Sequence, residues 1–154
     1  MSTLPERTQK LIQALNKDLE KEMAGIVRYL HHSFIVFGPN RGPLVQMFRQ
    51  QATESMTHAI QLGEKITALG GHPTVSVAQV FEPGHQTVED MIEEDLKAEK
   101  DQLKLYSDQL KEFGDDNLPM KLMLENIIVT EQTHVEEMEK YLRTTNKDLV
   151  VCNK

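Results

Sequence analysis

Glu131 and His134 sit three residues apart in the middle of an otherwise apolar helical seam, and that placement constrains the fold more than any other feature of the chain. Met120, Leu124, Ile127, Met138 and Tyr141 continue the seam on either side at helical spacing. Residues three apart share one face of a helix, so the carboxylate and the imidazole point together toward the interior. Two ionisable groups inside a core are costly unless something pairs with them, and a divalent cation is one such partner. The rest of the chain then has to bring matching ligands to the same depth.

Three further apolar seams are legible. The first, over about residues 5–36, runs Ile12, Leu15, Leu19, Glu22, Ile26, Tyr29, Ser33, and stops at the turn-rich stretch Phe37 to Pro43. The second, over about residues 44–69, runs Leu44, Phe48, Gln51, Ser55, His58, Leu62, Ile66, Leu69, and ends at Gly70-Gly71. The third begins at Thr87, where Asp90 three residues on offers a capping pair, and runs Ile92, Leu96, Glu99, Leu103, Tyr106, Leu110, Phe113. Leu118 to Leu142 is the fourth. The stretch from Gly70 to Thr87 has no helical period, and a loop of that length in a compact domain usually has a task. In a four-helix bundle the task is a crossover along the bundle, which leaves the second and third helices parallel. The expectation is one all-α domain over residues 1–154: a four-helix bundle at about 5–143 and a short polar tail at 144–154.

A charge of -7 argues against nucleic acid or an anionic membrane surface as a partner, and suits cations as substrate. The single cysteine, Cys152, excludes a disulfide framework. The polar start lacks an apolar signal region, and no apolar run is long enough to span a bilayer, so a cytoplasmic protein is expected.

The two halves of the chain carry one pattern. Glu22 and His58 are 36 residues apart, Glu99 and His134 are 35 apart, and Glu131 precedes the second histidine by one turn. All five side chains then fall at one level of the bundle, the arrangement of a dinuclear metal site built from glutamates and Glu-x-x-His pairs. Buried Glu-His pairs satisfying one another would leave the repeat unexplained.

The chain resembles the bacterioferritins of the ferritin-like superfamily. The matching stretches are Leu15-Asn16 with Leu19 and Glu22, Tyr29, Met56-Thr57-His58-Ala59, Val88 to Met91 with Asp95-Leu96 and Glu99, and Glu131 to His134. The resemblance implies two irons per subunit held by Glu22, His58, Glu99, Glu131 and His134. Glu131 would be the bridge, and each histidine would take one iron. It further implies oxidation of Fe(II) by dioxygen or peroxide, with the ferric product stored as mineral in a homo-oligomeric cage built from two-fold dimers. Tyr29 would match the family's electron-donating tyrosine, or would simply bind a ligand carboxylate. Met56 would match the methionine that holds haem b between two subunits; the stripe Ala52, Met56, Ala59, Gly63 reads as the dimer face. His31, His32, His72 and His85 read as surface or packing residues.

Two departures bear on these expectations. The second-helix motif has Ser55 where the family has glutamate, with the acid one place earlier at Glu54, rotated about 100° around the helix. Either Glu54 reaches round to serve as the second bridging ligand, which neutralises two Fe(II), or a water takes its place. The chain also ends 20 residues after His134, short for the family's fifth helix, which leaves a cage or a smaller assembly open. A manganese catalase-like or other peroxide-handling two-metal enzyme is the alternative. A DNA-binding mini-ferritin, a rubrerythrin-type peroxidase and a purely structural helical protein each lack support in the charge, the cysteine count or the ligand repeat.

Overall fold

In a computed structural model, residues 3–143 are described apart from 83 and 85. His85 and the tail 144–154, with Cys152, lie outside the described residues. Four helices follow in order: α1 (Glu6–Ile35), α2 (Arg41–Ala68), α3 (Val88–Phe113) and α4 (Leu118–Leu142). Among the described residues there is no strand.

The helix starts follow from local chemistry. Thr87 Oγ1 accepts from the Asp90 amide at 3.1 Å and Asp90 Oδ2 accepts from the Thr87 amide at 2.9 Å, so the capping box of α3 closes in both directions. Asn117 Oδ1 accepts from the Met120 amide at 3.0 Å and starts α4. The sequence places the start of α2 at Leu44, after Pro43, but the helix begins at Arg41. Pro43 stands in the first turn, where a missing N–H has no partner to lose, so it does not break the helix.

Side-chain contacts fix the directions. Asp18 meets Gln109, Glu22 meets Tyr106, and Arg28 meets Asp95, so α1 and α3 run antiparallel. Ser33 meets Arg49 while Gly25 lies against Ser55, so α1 and α2 are antiparallel too. The second and third helices are therefore parallel, as the long connection requires. That connection is tied to the flank of α1: the Thr74 amide donates to Asn16 Oδ1 at 2.8 Å, and the Ala78 amide to the Glu20 carbonyl at 3.0 Å. A Cβ on Gly71 would stand 2.7 Å from Ile12 Cγ2, so only glycine lets the chain leave α2 this close to α1.

Two apolar clusters fill the bundle. One holds Leu15, Leu62, Ile66, Phe113, Met120 and Leu124; the other holds Val36, Leu44, Phe48, Met91, Ile92 and Met138. Each large side chain buried this way contributes roughly 1.5–3 kcal/mol, which offsets the cost of the polar layer between the clusters. That layer contains Glu22, His58, Glu99, Glu131 and His134, all buried.

Three expectations are corrected. Tyr141 does not extend the seam of α4; it is 42% exposed. Ala52 and Ala59 are not on an outer face, because both are buried in the bundle's own core. Of the expected stripe, Met56 alone stays clearly exposed, at 49%. The small residues instead leave room inside the chain, where α1 and α2 pack along their length. Finally, Asp18, His32, Asp95, Gln102 and Gln109, which lie outside the α1 and α3 seams, are buried as well. Ile26, Leu96, Leu103 and Leu110 are only half-buried.

Candidate metal centre

The five side chains singled out by the repeat converge. Glu22, His58 and Glu131 bring ligand atoms within 4.8 Å of one another, and so do Glu99, Glu131 and His134. Glu131 belongs to both groups. Its Oε1 lies 2.8 Å from His58 Nδ1 and its Oε2 lies 3.2 Å from His134 Nδ1, one oxygen toward each half. Each of the four helices contributes: α1 Glu22, α2 His58, α3 Glu99, and α4 the Glu-x-x-His pair, whose spacing of one turn aims both side chains at the same level.

Charge crowding perturbs every group. Burial pushes the Glu22 carboxyl up, reinforced by the neighbouring Glu131. Burial likewise holds Glu99 well above the usual carboxylate range, with its contact to Glu131 adding to the effect. Burial alone would raise Glu131 as well, but the close approach of Glu99, His134 and His58 outweighs it and holds Glu131 ionised far down the pH scale. His58 moves against its desolvation, up to about 10, because Glu131 and Glu22 flank it. Burial would lower His134, yet its contacts with Glu131 and Glu54 raise it. Protons thus do the neutralising here that a pair of divalent cations would otherwise do, so a metal binding at this centre would displace them.

Two atoms test whether a metal fits. Glu99 Oε2 is buried without a hydrogen-bond partner. His58 Nδ1 is close to two carboxylates, at 2.8 Å and 3.4 Å, yet aligned to hydrogen-bond with neither. Buried carboxylate and imidazole atoms that converge without an aligned hydrogen bond leave a place for a cation once their protons depart, and mixed carboxylate and imidazole ligands suit iron or manganese.

Glu54 does reach round from its position on α2, but it meets His134 at Nε2, the ring nitrogen turned away from Glu131. It lies in neither three-residue group, and Gln50 Nε2 donates to its other oxygen at 3.1 Å. The rotation of about 100° that separates it from position 55 carries it to the rim of the site. Ser55 turns toward α1, with its Oγ 3.2 Å from where a Cβ on Gly25 would stand. Beside Glu54 two cavities open between α2 and α4. The one at His134 has a volume of about 450 Å³, and the one at His58 about 300 Å³. The centre is therefore reached from this side. On the α1–α3 side, hydrogen bonds cross the seam at the level of the centre, and a cavity of about 280 Å³ lies further along it, at Lys10, Lys17 and Phe113.

Tyr29 is wholly buried and its hydroxyl donates to Glu99 Oε1, while the Arg28 guanidinium stands over its ring, 5.0 Å from the centroid. Arg28 is held in turn by Asp95 at 2.7 Å. His32 is a packing residue, its Nδ1 2.9 Å from Asp95 Oδ2; His31 faces Glu82 at 3.8 Å, and His72 lies in the crossover. The sequence reading overlooked Gln102 and Tyr106. Gln102 Nε2 donates to Glu22 Oε1 at 2.9 Å and the Tyr106 hydroxyl donates to the same oxygen at 2.6 Å. The signal was available: Tyr106 follows Glu99 by the same seven residues that separate Tyr29 from Glu22.

A four-helix bundle with a crossover, carrying a two-lobed cluster of buried glutamates and histidines about one shared carboxylate, defines the class of two-metal carboxylate bundles. Comparison with known proteins places the chain within that class. The ferritin-like domain family matches residues 12–147. The bacterioferritin of Desulfovibrio desulfuricans is 31% identical over 137 residues, covering 87% of this chain and 75% of that protein. A ferritin-like, diiron-carboxylate protein of Bacillus anthracis superposes with a TM-score of 0.85 at 30% identity, over 90% of this chain and 99% of its own. The Rhodobacter capsulatus bacterioferritin, solved with a metal-free dinuclear site and a haem iron in a crystallographic special position, gives 0.74 at 28% identity over 86% and 82%. The chain belongs to the ferritin-like family, among the bacterioferritins.

Proposed function

We propose that the centre binds two iron ions and oxidises Fe(II) to Fe(III) with dioxygen or peroxide, for storage of the ferric product in an oligomeric assembly. The observation that carries this reading is Glu131, which offers one oxygen to each of two otherwise equivalent ligand sets. Glu22 and His58 would hold one iron, Glu99 and His134 the other, and Glu131 would bridge. The two irons supply electrons to the oxidant. Three buried carboxylates favour the trivalent over the divalent ion by Coulomb attraction in a low-dielectric core. Tyr29, hydrogen-bonded to Glu99, would give a further electron.

Glu54 has a different part from the bridge expected of it. By accepting from His134 Nε2 it would fix the ring so that Nδ1 faces the metal, the orienting role that carboxylates commonly play behind metal-bound histidines. Its partial exposure at the cavity mouths also suits a carboxylate that meets incoming Fe(II).

Haem between two copies extends the same reading. Met56 presents its thioether to solvent with exposed Ile60 one turn on, and Met23 and Val27 form a second exposed apolar pair on α1. A two-fold dimer would cover these groups.

The test is growth of ferric absorbance after Fe(II) is added in air. Glu131→Ala should abolish it. Glu54→Ala should slow it by about tenfold, the scale expected for an orienting partner, while the surface control Glu112→Ala should leave it unchanged. A Glu131→Ala protein that oxidises iron at the parent rate refutes the reading. A parent that binds manganese and evolves oxygen from peroxide is a catalase-like enzyme instead.

A further inference from the structure

The two ligand helices carry a second repeat beyond the glutamates. Tyr29 follows Glu22 on α1 by seven residues, and Tyr106 follows Glu99 on α3 by seven. Because the helices are antiparallel, each tyrosine crosses to the other helix's acid. Tyr29 donates to Glu99 Oε1, and Tyr106 donates to Glu22 Oε1 at 2.6 Å. Both rings are fully buried. Each three-residue ligand set thus ends in a phenol hydrogen-bonded to its α1 or α3 carboxylate, and the two phenols are equivalent under the exchange of halves.

Tyr106 stands in a wider network: the Glu22 oxygen that it meets also accepts from Gln102 at 2.9 Å, and Gln102 donates to the Tyr106 hydroxyl oxygen at 3.1 Å. A phenol shut in an apolar core gives up an electron readily only if a base beside it takes the proton, and both tyrosines have one. Reduction of dioxygen to the level of water takes four electrons, and two Fe(II) supply two.

Resting on the ferroxidase reading above, we propose that Tyr106 is a second one-electron donor, serving the Glu22–His58 half of the centre as Tyr29 serves the other. One dioxygen, two Fe(II) and two tyrosines then give two Fe(III), two neutral tyrosyl radicals and two hydroxides. The O–O bond breaks, each phenol O–H is lost, and the two phenolic protons end on the two reduced oxygens, with Glu22 and Glu99 as first acceptors. Electrons, protons and charge balance without any other reductant. A ferroxidase built this way finishes its oxidant in one turnover and releases no hydrogen peroxide.

The experiment compares the parent with Tyr29→Phe, Tyr106→Phe and the double variant. Each is loaded anaerobically with two Fe(II) per chain, mixed with dioxygen and frozen. Radicals are counted by electron paramagnetic resonance, with ring-deuterated tyrosine to identify them, and released peroxide is measured in parallel. Co(II) affinity, measured without iron, reports whether the ligand set is intact. The expected result is about half the parent's radical in each single variant and none in the double variant, with the exposed Tyr141 present throughout. Peroxide should appear in each single variant, and Co(II) affinity should not change. The proposal is overturned if Tyr106→Phe keeps the full parent signal, if Tyr29→Phe alone removes all of it, or if Tyr106→Phe loses radical and Co(II) affinity together, which would make Tyr106 a prop for Glu22. A parent that does not oxidise iron overturns the ferroxidase reading as well; a parent that oxidises iron with no radical dependent on Tyr106 overturns this inference alone.

Discussion

Asp18 lies wholly inside the bundle, one turn before Glu22, with Gln109 donating to Oδ1 at 2.9 Å and no partner on Oδ2. Burial pushes its acid up to about 8, only partly opposed by the Gln109 amide. The sign follows directly. Between about pH 4 and pH 8 the folded chain keeps a proton that the unfolded chain has released, so Asp18 costs stability progressively as pH rises and no further above about 8. At ~1.4 kcal/mol per pH unit, the cost reaches at most about 6 kcal/mol. Asp18→Asn mimics the protonated acid and cannot ionise. Its melting temperature should exceed the parent's by a margin that widens with pH, up to roughly 10–20 °C by pH 8. A margin that is constant from pH 5 to pH 8.5 would show that Asp18 does not titrate on unfolding. The same residue marks the limit of what could be read beforehand. Glu22, His58, Glu99, Glu131 and His134 were legible because each interrupts an apolar run at core spacing. Asp18, Gln102 and Gln109 were not, because a lone polar residue among other polar ones has the pattern of a solvated face, and only the meeting of α1 with α3 buries it.

For the helices, the number, order and ends were largely written in the turn chemistry. Thr87 and Asp90 announced α3, and both halves of the box formed. Thr87→Ala should therefore cost about 1 kcal/mol, read as a lower urea midpoint with an unchanged slope; no change would mean that packing alone sets the start of α3. The start of α2 was misjudged because a proline is as acceptable in a first turn as it is disruptive later. The stripe of Ala52 and Ala59 was misjudged for a different reason. Small residues mark close approach between helices, but spacing does not say whether the approaching helix belongs to the same chain or to a second copy. Here the neighbour is α1, and the room it needs is supplied from both sides, by Gly25 and Ser55 as well as by the alanines.

The molecule as a whole keeps an exposed apolar set on α1 and α2, with Val27, Phe34, Met56 and Ile60 prominent. If two copies cover it, Ile60→Glu should shift the mass in analytical ultracentrifugation from a multiple to a single chain, and the same variant should lose any haem that Met56 holds. A parent already monomeric at micromolar concentration would remove the dimer from the account. The bundle also has unlike flanks. Between α1 and α3, polar contacts from Asp18 to His32 cross the seam beside the centre and the cavity there lies toward Lys10 and Phe113, whereas between α2 and α4 two cavities lead in past Glu54. Such a subunit has a front door and a back wall. In a hollow shell, the way each copy is turned decides what the door faces. With the α2–α4 seam outward, the centre draws on the surrounding medium and must pass its product through the wall. With the seam inward, it draws on the lumen, and ions have to arrive there first by some passage between subunits. Should the proposed assembly form, orientation within it, rather than the ligands themselves, would decide whether the centre works as an entrance pump or as an internal scavenger.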